Sequence, residues 1–124
     1  MKRVALGLLV FAMVLGTYSA AFAQKATVLR VVVVQSDNVA AYLQELERGK
    51  ELLKKVESPS IIRVWQARFA GDEAGTVVVS IEYPSLSALA ADDEKMRTNA
   101  EIAAWLKGLD KVRKVVSDSI YREL

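Results

Sequence analysis

The segment Thr27–Val34 is apolar at almost every position, whereas a strand with one face in water would alternate apolar and polar residues. As a strand, it has apolar side chains on both faces: Leu29, Val31 and Val33 on one, and Val28, Val32 and Val34 on the other. Only Arg30 interrupts this pattern. Both faces of the predicted sheet therefore need cover, and in a chain of 124 residues this bears on self-association.

An amphipathic helix is predicted next. Asp37 or Asn38 can cap it, and it runs to about Val56, with Pro59 lying just beyond its end. Charged residues fill one side of this helix, and the other side is apolar at helical spacing. The apolar positions are Val39, Tyr42, Leu43, Leu46, Leu53 and Val56.

A β-hairpin follows the helix. Ile61–Ala70 and Thr76–Tyr83 are predicted to be its strands, Gly71–Gly75 is its loop, and Pro84 ends the ladder because proline has no amide donor. In the second strand, Val77, Val79, Ile81 and Tyr83 share one face, and Thr76, Val78, Ser80 and Glu82 share the other.

Two further helices and a last strand complete the pattern. Ser85 opens a helix over Leu86–Lys95, which is expected to bury Leu86, Leu89, Ala90 and Met96. The stretch from Thr98 to Glu101 has the spacing of a capping box for a third helix, whose apolar stripe is Ile102, Trp105, Leu106 and Leu109. The final strand is Val115–Glu123, with Val116, Ile120 and Leu124 on one side.

The element order β-α-β-β-α-α-β predicts an α+β fold of the ferredoxin-like, split β-α-β type, with a four-stranded antiparallel sheet and helices on one face. The other sheet face would then be an exposed apolar patch that demands a partner. A second copy, related by a two-fold axis, covers such a patch with the same surface used twice. The alternative is a monomer whose second sheet face is partly shielded by loops.

The N-terminal residues have the three-part order of a secretory signal peptide. Lys2 and Arg3 precede the apolar run Val4–Tyr18, and the small residues of Ala21-Phe22-Ala23 precede a cut at Gln24. A membrane anchor is the alternative, but this run is shorter than the ~20 residues needed to span a bilayer. We therefore expect residues 1–23 to be cleaved, residues 24–124 to form a single periplasmic or secreted domain, and no stable membrane anchor to remain.

Charge narrows the choice of partners. The chain has 17 basic and 15 acidic residues, and since Lys2 and Arg3 are two of the basic ones, residues 24–124 are formally neutral. A neutral domain gives no case for a nucleic-acid partner or for electrostatic attachment to anionic lipid. The chain has no cysteine, so non-covalent burial alone must stabilise it after export.

Four segments of this chain resemble the dimeric α/β-barrel (ferredoxin-like) superfamily, particularly its small secreted bacterial members of unassigned activity. These segments are Val28–Val34, Arg63–Gly71, Gly75–Pro84 and Val115–Leu124. The resemblance implies a homodimer that pairs through the open sheet face. It leaves the activity open, because the superfamily includes cofactor-free and haem-degrading monooxygenases, haem peroxidases, muconolactone isomerases, stress-response proteins and ligand binders.

The composition excludes several chemistries. The chain contains no histidine and no cysteine, so the usual axial ligands of haem and the usual ligands of zinc and copper are missing. A Ser-His or Cys-His nucleophile is excluded for the same reason. Gly71 and Gly75 flank a hairpin and lack the strand-to-helix context of a phosphate loop. We expect no cofactor and no metal.

Three sets of residues remain as candidate sites. The first set could bind an anionic aromatic ligand by ion pairing and stacking, and it consists of Arg63, Trp65 and Arg68. The structural alternative is a core tryptophan with an arginine at the rim.

The second set could approach the gap between helices and sheet, and it consists of Tyr42, Tyr83, Asn99 and Trp105. The cofactor-free monooxygenases are similar in using such side chains on phenolic substrates, whereas buried aromatics are more often core. The acidic run Asp92-Asp93-Glu94, with Glu101, lacks calcium-loop spacing and favours a solvated helix end.

Two function classes follow from these residues. The first is a non-enzymatic homodimer that binds a small apolar or aromatic ligand between sheet and helices. The second is a cofactor-independent monooxygenase or isomerase that acts on a small aromatic or quinone-like substrate in the same place.

Overall fold

The computed structural model describes residues 27–68 and 71–124, which contain four strands, three α-helices and a short 3-10 helix. In chain order these elements are β1 (Val28–Gln35), α1 (Val39–Lys55), β2 (Ile61–Gln66), the 3-10 helix (Gly71–Glu73), β3 (Val77–Tyr83), α2 (Leu86–Thr98), α3 (Ala100–Leu109) and β4 (Lys114–Arg122). The predicted signal peptide lies outside the described residues. No helix within them is long and apolar enough to cross a bilayer.

The four strands form one antiparallel sheet in the order β2-β3-β1-β4. Valine-rich β1 is a central strand, with Val32 opposite Val79 of β3 and Asp118 of β4. A central strand is apolar on both faces when each face is covered, and here the helices cover one of them. The predicted fold class is confirmed.

The core lies between the sheet and the helices. Val32 and Val34 of β1 and Val77 and Val79 of β3 point into it, as the alternation within each strand predicts. The helices contribute Tyr42, Leu46, Leu52, Leu53, Ile102, Trp105 and Leu109. The opposite side of the sheet, called the open face below, carries three rows of side chains. These are Ile61-Glu82-Leu29-Tyr121, Arg63-Ser80-Val31-Ser119 and Trp65-Val78-Val33-Ser117.

Close packing of α1 on α3 depends on a glycine. The indole of Trp105 lies directly against Gly49, where an added Cβ would be 2.0 Å from Cζ2. The indole Nε1 donates a hydrogen bond of 2.9 Å to the carbonyl of Glu45, one turn earlier in α1. Gly49 thus allows the tryptophan to approach closely enough to satisfy its N–H inside the core.

The helix caps confirm two predictions and correct a third. The side chain of Asn38 accepts from the amide of Ala41, and Ser85 opens α2. The cap of α3 is Asn99, whose Oδ1 accepts from Ile102 N at 3.0 Å. The capping box that began at Thr98 is therefore wrong, because the Thr98 hydroxyl instead donates to the Glu94 carbonyl and ends α2.

The predicted helix over Leu86–Lys95 is too short and its buried side is partly wrong. Helix α2 continues to Thr98, where Asn99 closes it. Leu86 is 59% exposed and Ala90 is exposed too, while Leu89 and Met96 are half-buried. The helix buries Asp92 instead, so its inward side includes a polar residue that hydrophobic spacing did not reveal.

Both edge strands differ from their predicted extents. β2 ends at Gln66 rather than Ala70, since Ala67 already exchanges loop hydrogen bonds with Thr76 and Gly75. In β4 the register shifts opposite Val33 and Val34, which breaks the alternation at Val116. Val116, Ile120 and Leu124, predicted to share one side, are all exposed.

Candidate functional site

A cavity of about 150 Å³ lies between the sheet and the helices. Its walls are mainly apolar: Val32, Leu46, Leu53, Ile62, Val79, Ile81, Met96, Trp105, Leu106 and Leu109. Four polar residues, Arg30, Tyr83, Asp93 and Arg113, complete the lining. An apolar cavity of roughly this volume holds one benzene-sized ring. The space therefore suits a single aromatic ring with few polar groups.

Arg30 is fixed at the wall of this cavity by a bidentate ion pair with Asp118. The distances are 2.9 Å from Nε to Oδ1 and 2.7 Å from Nη2 to Oδ2. Hydrogen bonding to the arginine holds the pKa of Asp118 below its usual value, and the carboxylate raises the pKa of Arg30. The arginine that interrupts β1 thus sits on the covered face, with its charge balanced by the neighbouring strand.

Arg113 is held much less firmly. Its Nη1 donates to the Tyr42 hydroxyl at 3.3 Å, and its guanidinium carbon lies 5.9 Å from the centre of that ring. Its buried Nε has no hydrogen-bond partner among the described residues, and it forms no ion pair with them. Arg113 is thus a cation at the cavity wall whose donors are only partly used.

Tyr83 is tied to a buried carboxylate. Its hydroxyl donates to Asp92 Oδ2 at 2.7 Å, and the Ser58 hydroxyl donates to the same oxygen at 2.8 Å. Asp92 is 1% exposed, so for this residue the solvated helix end predicted from the acidic run is wrong. Burial, reinforced by the bond to Asp92, raises the pKa of Tyr83, which keeps its phenol protonated and a donor.

Asp93 is the carboxylate of the acidic run that reaches the cavity. It is half-buried, lies 3.5 Å from Arg97 Nε, and contributes to the raised pKa of Arg30 through its charge. Within the described residues, no group of three or more acidic side chains is close enough together to hold a metal ion.

The residues predicted as sites fall on opposite sides of the sheet. Tyr83 and Trp105 line the cavity, and Tyr42 lies beside it in the core. Asn99 is occupied as the cap of α3. The other three, Arg63, Trp65 and Arg68, are all exposed.

Arg63 and Trp65 lie on the open face. Arg63 pairs with Glu82 at 2.8 Å, and the Trp65 indole donates to Ser80 Oγ at 2.9 Å. Trp65 is 55% exposed, so the alternative of a core tryptophan is wrong. Arg68, beyond the end of β2, donates a hydrogen bond of 3.4 Å from Nη2 to Gln66 Oε1. These side chains cannot act together with the cavity.

Sequence reasoning missed Arg30, Arg113, Asp93 and Asp118 as cavity or pairing residues. Arg30 did have a signal, since a charged residue within an apolar strand needs a partner if its face is covered. Asp118 and Arg113 had none, because their closeness to the cavity depends on how β4 pairs with β1.

The sheet order, with α1, α2 and α3 on one face above a cavity, defines an α+β protein of the ferredoxin-like, split β-α-β class. The sequence matches no protein-family model and no curated protein.

Solved structures with the same fold are known, at low sequence identity. One is a NIPSNAP family protein from Agrobacterium tumefaciens, with 14% identity over 80% of this chain and 90% of that one, and a TM-score of 0.60. Another is a provisionally assigned antibiotic biosynthesis monooxygenase from Bordetella bronchiseptica, with 8% identity over 81% and 97% of the two chains and a TM-score of 0.56. A third, with the same provisional assignment, comes from Nitrosomonas europaea, with 17% identity over 80% and 89% and a TM-score of 0.52. The ferredoxin-like, split β-α-β fold is thereby confirmed.

Proposed function

We propose that this protein binds a small compound with a single aromatic ring in the cavity between sheet and helices. The observation that carries the proposal is the cavity itself, since about 150 Å³ of mainly apolar space is bordered by a few polar side chains. A well-packed core leaves few voids larger than a water molecule, so a space of this size calls for an occupant.

Phenol is a suitable first probe, because it is neutral at pH 7 and carries one ring. Titration should shift the methyl NMR signals of Val32, Val79 and Ile81, which line the cavity. Ile81→Phe should abolish binding by filling the space, whereas Ile120→Phe adds the same bulk at an exposed position and should leave it unchanged. The absence of phenol binding, or equal binding by the two folded variants, would contradict the proposal.

We also propose that two copies pair through the open face. Ile61, Trp65 and Tyr121 on this face are 49%, 55% and 58% exposed, and they flank the partly buried Leu29 and Val31 of β1. These apolar side chains lie together on one exposed sheet face, which favours an interface there, and isologous pairing covers them at once on both copies.

Light scattering of the purified protein tests this pairing. The mass should be twice that of one chain, and Trp65→Lys should halve it by placing a charge in the interface. Leu86→Lys is the matched control, because Leu86 is 59% exposed but lies on α2, away from the open face. A monomeric wild type, or a Trp65→Lys variant that remains dimeric, would refute the pairing.

Export through the N-terminal signal is part of the same proposal. It rests on the sequence of residues 1–23, with Gln24 as the expected first residue of the mature protein. Mass spectrometry of the protein from a periplasmic fraction should find this N-terminus, and an intact chain in the cytoplasm would contradict it.

A second candidate is a cofactor-independent monooxygenase or isomerase that uses the same cavity. The half-buried carboxylate of Asp93 favours it, because a base in the cavity wall could take a proton from a phenolic substrate. If turnover of a quinol or phenol is detected, Asp93→Asn should remove it while phenol binding persists. Turnover that survives this change would eliminate Asp93 as the base.

A further inference from the structure

Arg113 separates the cavity from a second, polar space. That space is a cleft of about 480 Å³ beside the start of α1 and the loop between α3 and β4. Asp37, Asp110, Lys111, Arg113 and Lys114 are the charged residues of its lining. Arg113 is the one residue that lines both spaces, so it lies where the apolar cavity meets the charged cleft.

The two cavity arginines differ in how much of their hydrogen-bonding capacity is used. Arg30 makes two short, parallel bonds to Asp118. Arg113 makes one long bond of 3.3 Å to the Tyr42 hydroxyl and leaves its buried Nε without a partner among the described residues. A buried guanidinium N–H is costly to leave unsatisfied, and a carboxylate satisfies two such donors at once.

We propose that the ligand is an aromatic acid whose ring occupies the cavity and whose carboxylate is bound by Arg113 at the boundary with the cleft. This rests on the proposed ring-binding function and adds the charge of the ligand to it. The charge of the cleft agrees with the proposal, because Lys111, Lys114 and Arg113 outnumber Asp37 and Asp110. Arg30 is already neutralised by Asp118, which leaves Arg113 to select the anion.

Matched pairs of acids and amides separate the two parts of the proposal. Phenylacetate and phenylacetamide have the same ring and nearly the same shape, and only the acid is charged. We expect the wild-type protein to bind phenylacetate about ten- to a hundredfold more tightly in calorimetry, which is the range of a charge-assisted hydrogen bond. Benzoate and 3-phenylpropanoate, each measured against its amide, then give the best spacer length.

Arg113→Met should lower the affinity for phenylacetate to that for phenylacetamide and leave the amide unchanged. Arg68→Met, which removes an exposed arginine beyond the end of β2, should change neither affinity. Equal binding of acid and amide by the wild type would overturn the inference while ring binding stands. Loss of both affinities in a folded Arg113→Met variant would overturn it too. If neither compound nor phenol binds, the proposed function itself fails.

A measurement on the unmodified protein keeps the inference testable if Arg113→Met does not fold. The ¹⁵N-¹H signal of Arg113 Nε should move downfield on addition of phenylacetate and stay in place with phenylacetamide, because only the carboxylate is a strong acceptor. A signal that responds equally to both compounds would refute carboxylate recognition by this residue.

Discussion

Replacing Gly49 by alanine tests the packing of α1 on α3. The added Cβ would lie 2.0, 2.3 and 2.7 Å from three carbon atoms of the Trp105 indole, so the ring must move. Overpacking of this kind costs about 1–3 kcal/mol. Movement of the ring also threatens the bond from Nε1 to the Glu45 carbonyl, and leaving that donor unsatisfied costs about 1–3 kcal/mol. The higher helix propensity of alanine offsets about 1 kcal/mol of this loss of stability.

The expected result is a net loss of about 1–5 kcal/mol, with a fall in melting temperature of roughly 4–8 °C for each kcal/mol in a domain of this size. Urea denaturation at fixed protein concentration measures it. Gly108→Ala is the control: it lies in α3, an added Cβ there has no atom within 4 Å, and it should stabilise by up to about 1 kcal/mol. If Gly49→Ala were as stable as Gly108→Ala, the close approach of Trp105 would be refuted. In a Trp105→Leu background the penalty should shrink markedly, because the clashing ring is gone.

Four further substitutions probe the polar contacts. Asp118→Asn should cost about 1 kcal/mol or less of folding stability, since both partners of the ion pair with Arg30 are partly exposed. Because the pKa of Asp118 is lowered in the folded protein, this loss of stability should appear above about pH 4 and vanish at lower pH. A variant whose stability falls with acid in the same way as that of the wild type would contradict this. Tyr83→Phe removes a donor from the buried carboxylate of α2 and should cost about 1–3 kcal/mol by denaturation. Since the pKa of this phenol is raised in the folded protein, the wild type should lose stability above about pH 10, and the phenylalanine variant should lose less. A larger loss in the phenylalanine variant would contradict the burial of this phenol. Asn99→Ala should cost about 1 kcal/mol of folding stability, and Thr98→Ala should cost clearly less, because Asn99 rather than Thr98 caps α3. A larger cost for Thr98→Ala would instead support Thr98 as the cap.

Much of the fold followed from periodicity, because each element has a local signal. Alternation located β3 and its two faces, helical spacing located α1, and Asn38 and Ser85 marked helix starts. The errors lie where a tertiary contact overrides the local signal. Asn99 takes the cap that spacing assigned to Thr98, and α2 turns Asp92 inward.

The candidate site was less predictable because its residues come from strands, helices and a loop that are far apart in the sequence. Tyr83 and Trp105 could be named from their chemistry, but the partners of Arg30 and Arg113 depend on the order of strands in the sheet and on the register of β4. Trp65 shows the converse problem. An aromatic residue in an alternating strand can face either side, and here it faces away from the helices.

The two faces of β1 explain why one apolar strand supports two different proposals. On the covered face, Arg30 lies beside the apolar walls of the cavity, and the ion pair with Asp118 neutralises its charge there. On the open face, Leu29 and Val31 meet no helix, and charges are confined to neighbours such as the Arg63–Glu82 pair. The proposed ligand and the proposed second copy would therefore bind on different sides of the same strand. It follows that a substitution on one face, such as Trp65→Lys, should change oligomeric state without altering phenol binding, and Ile81→Phe should do the reverse.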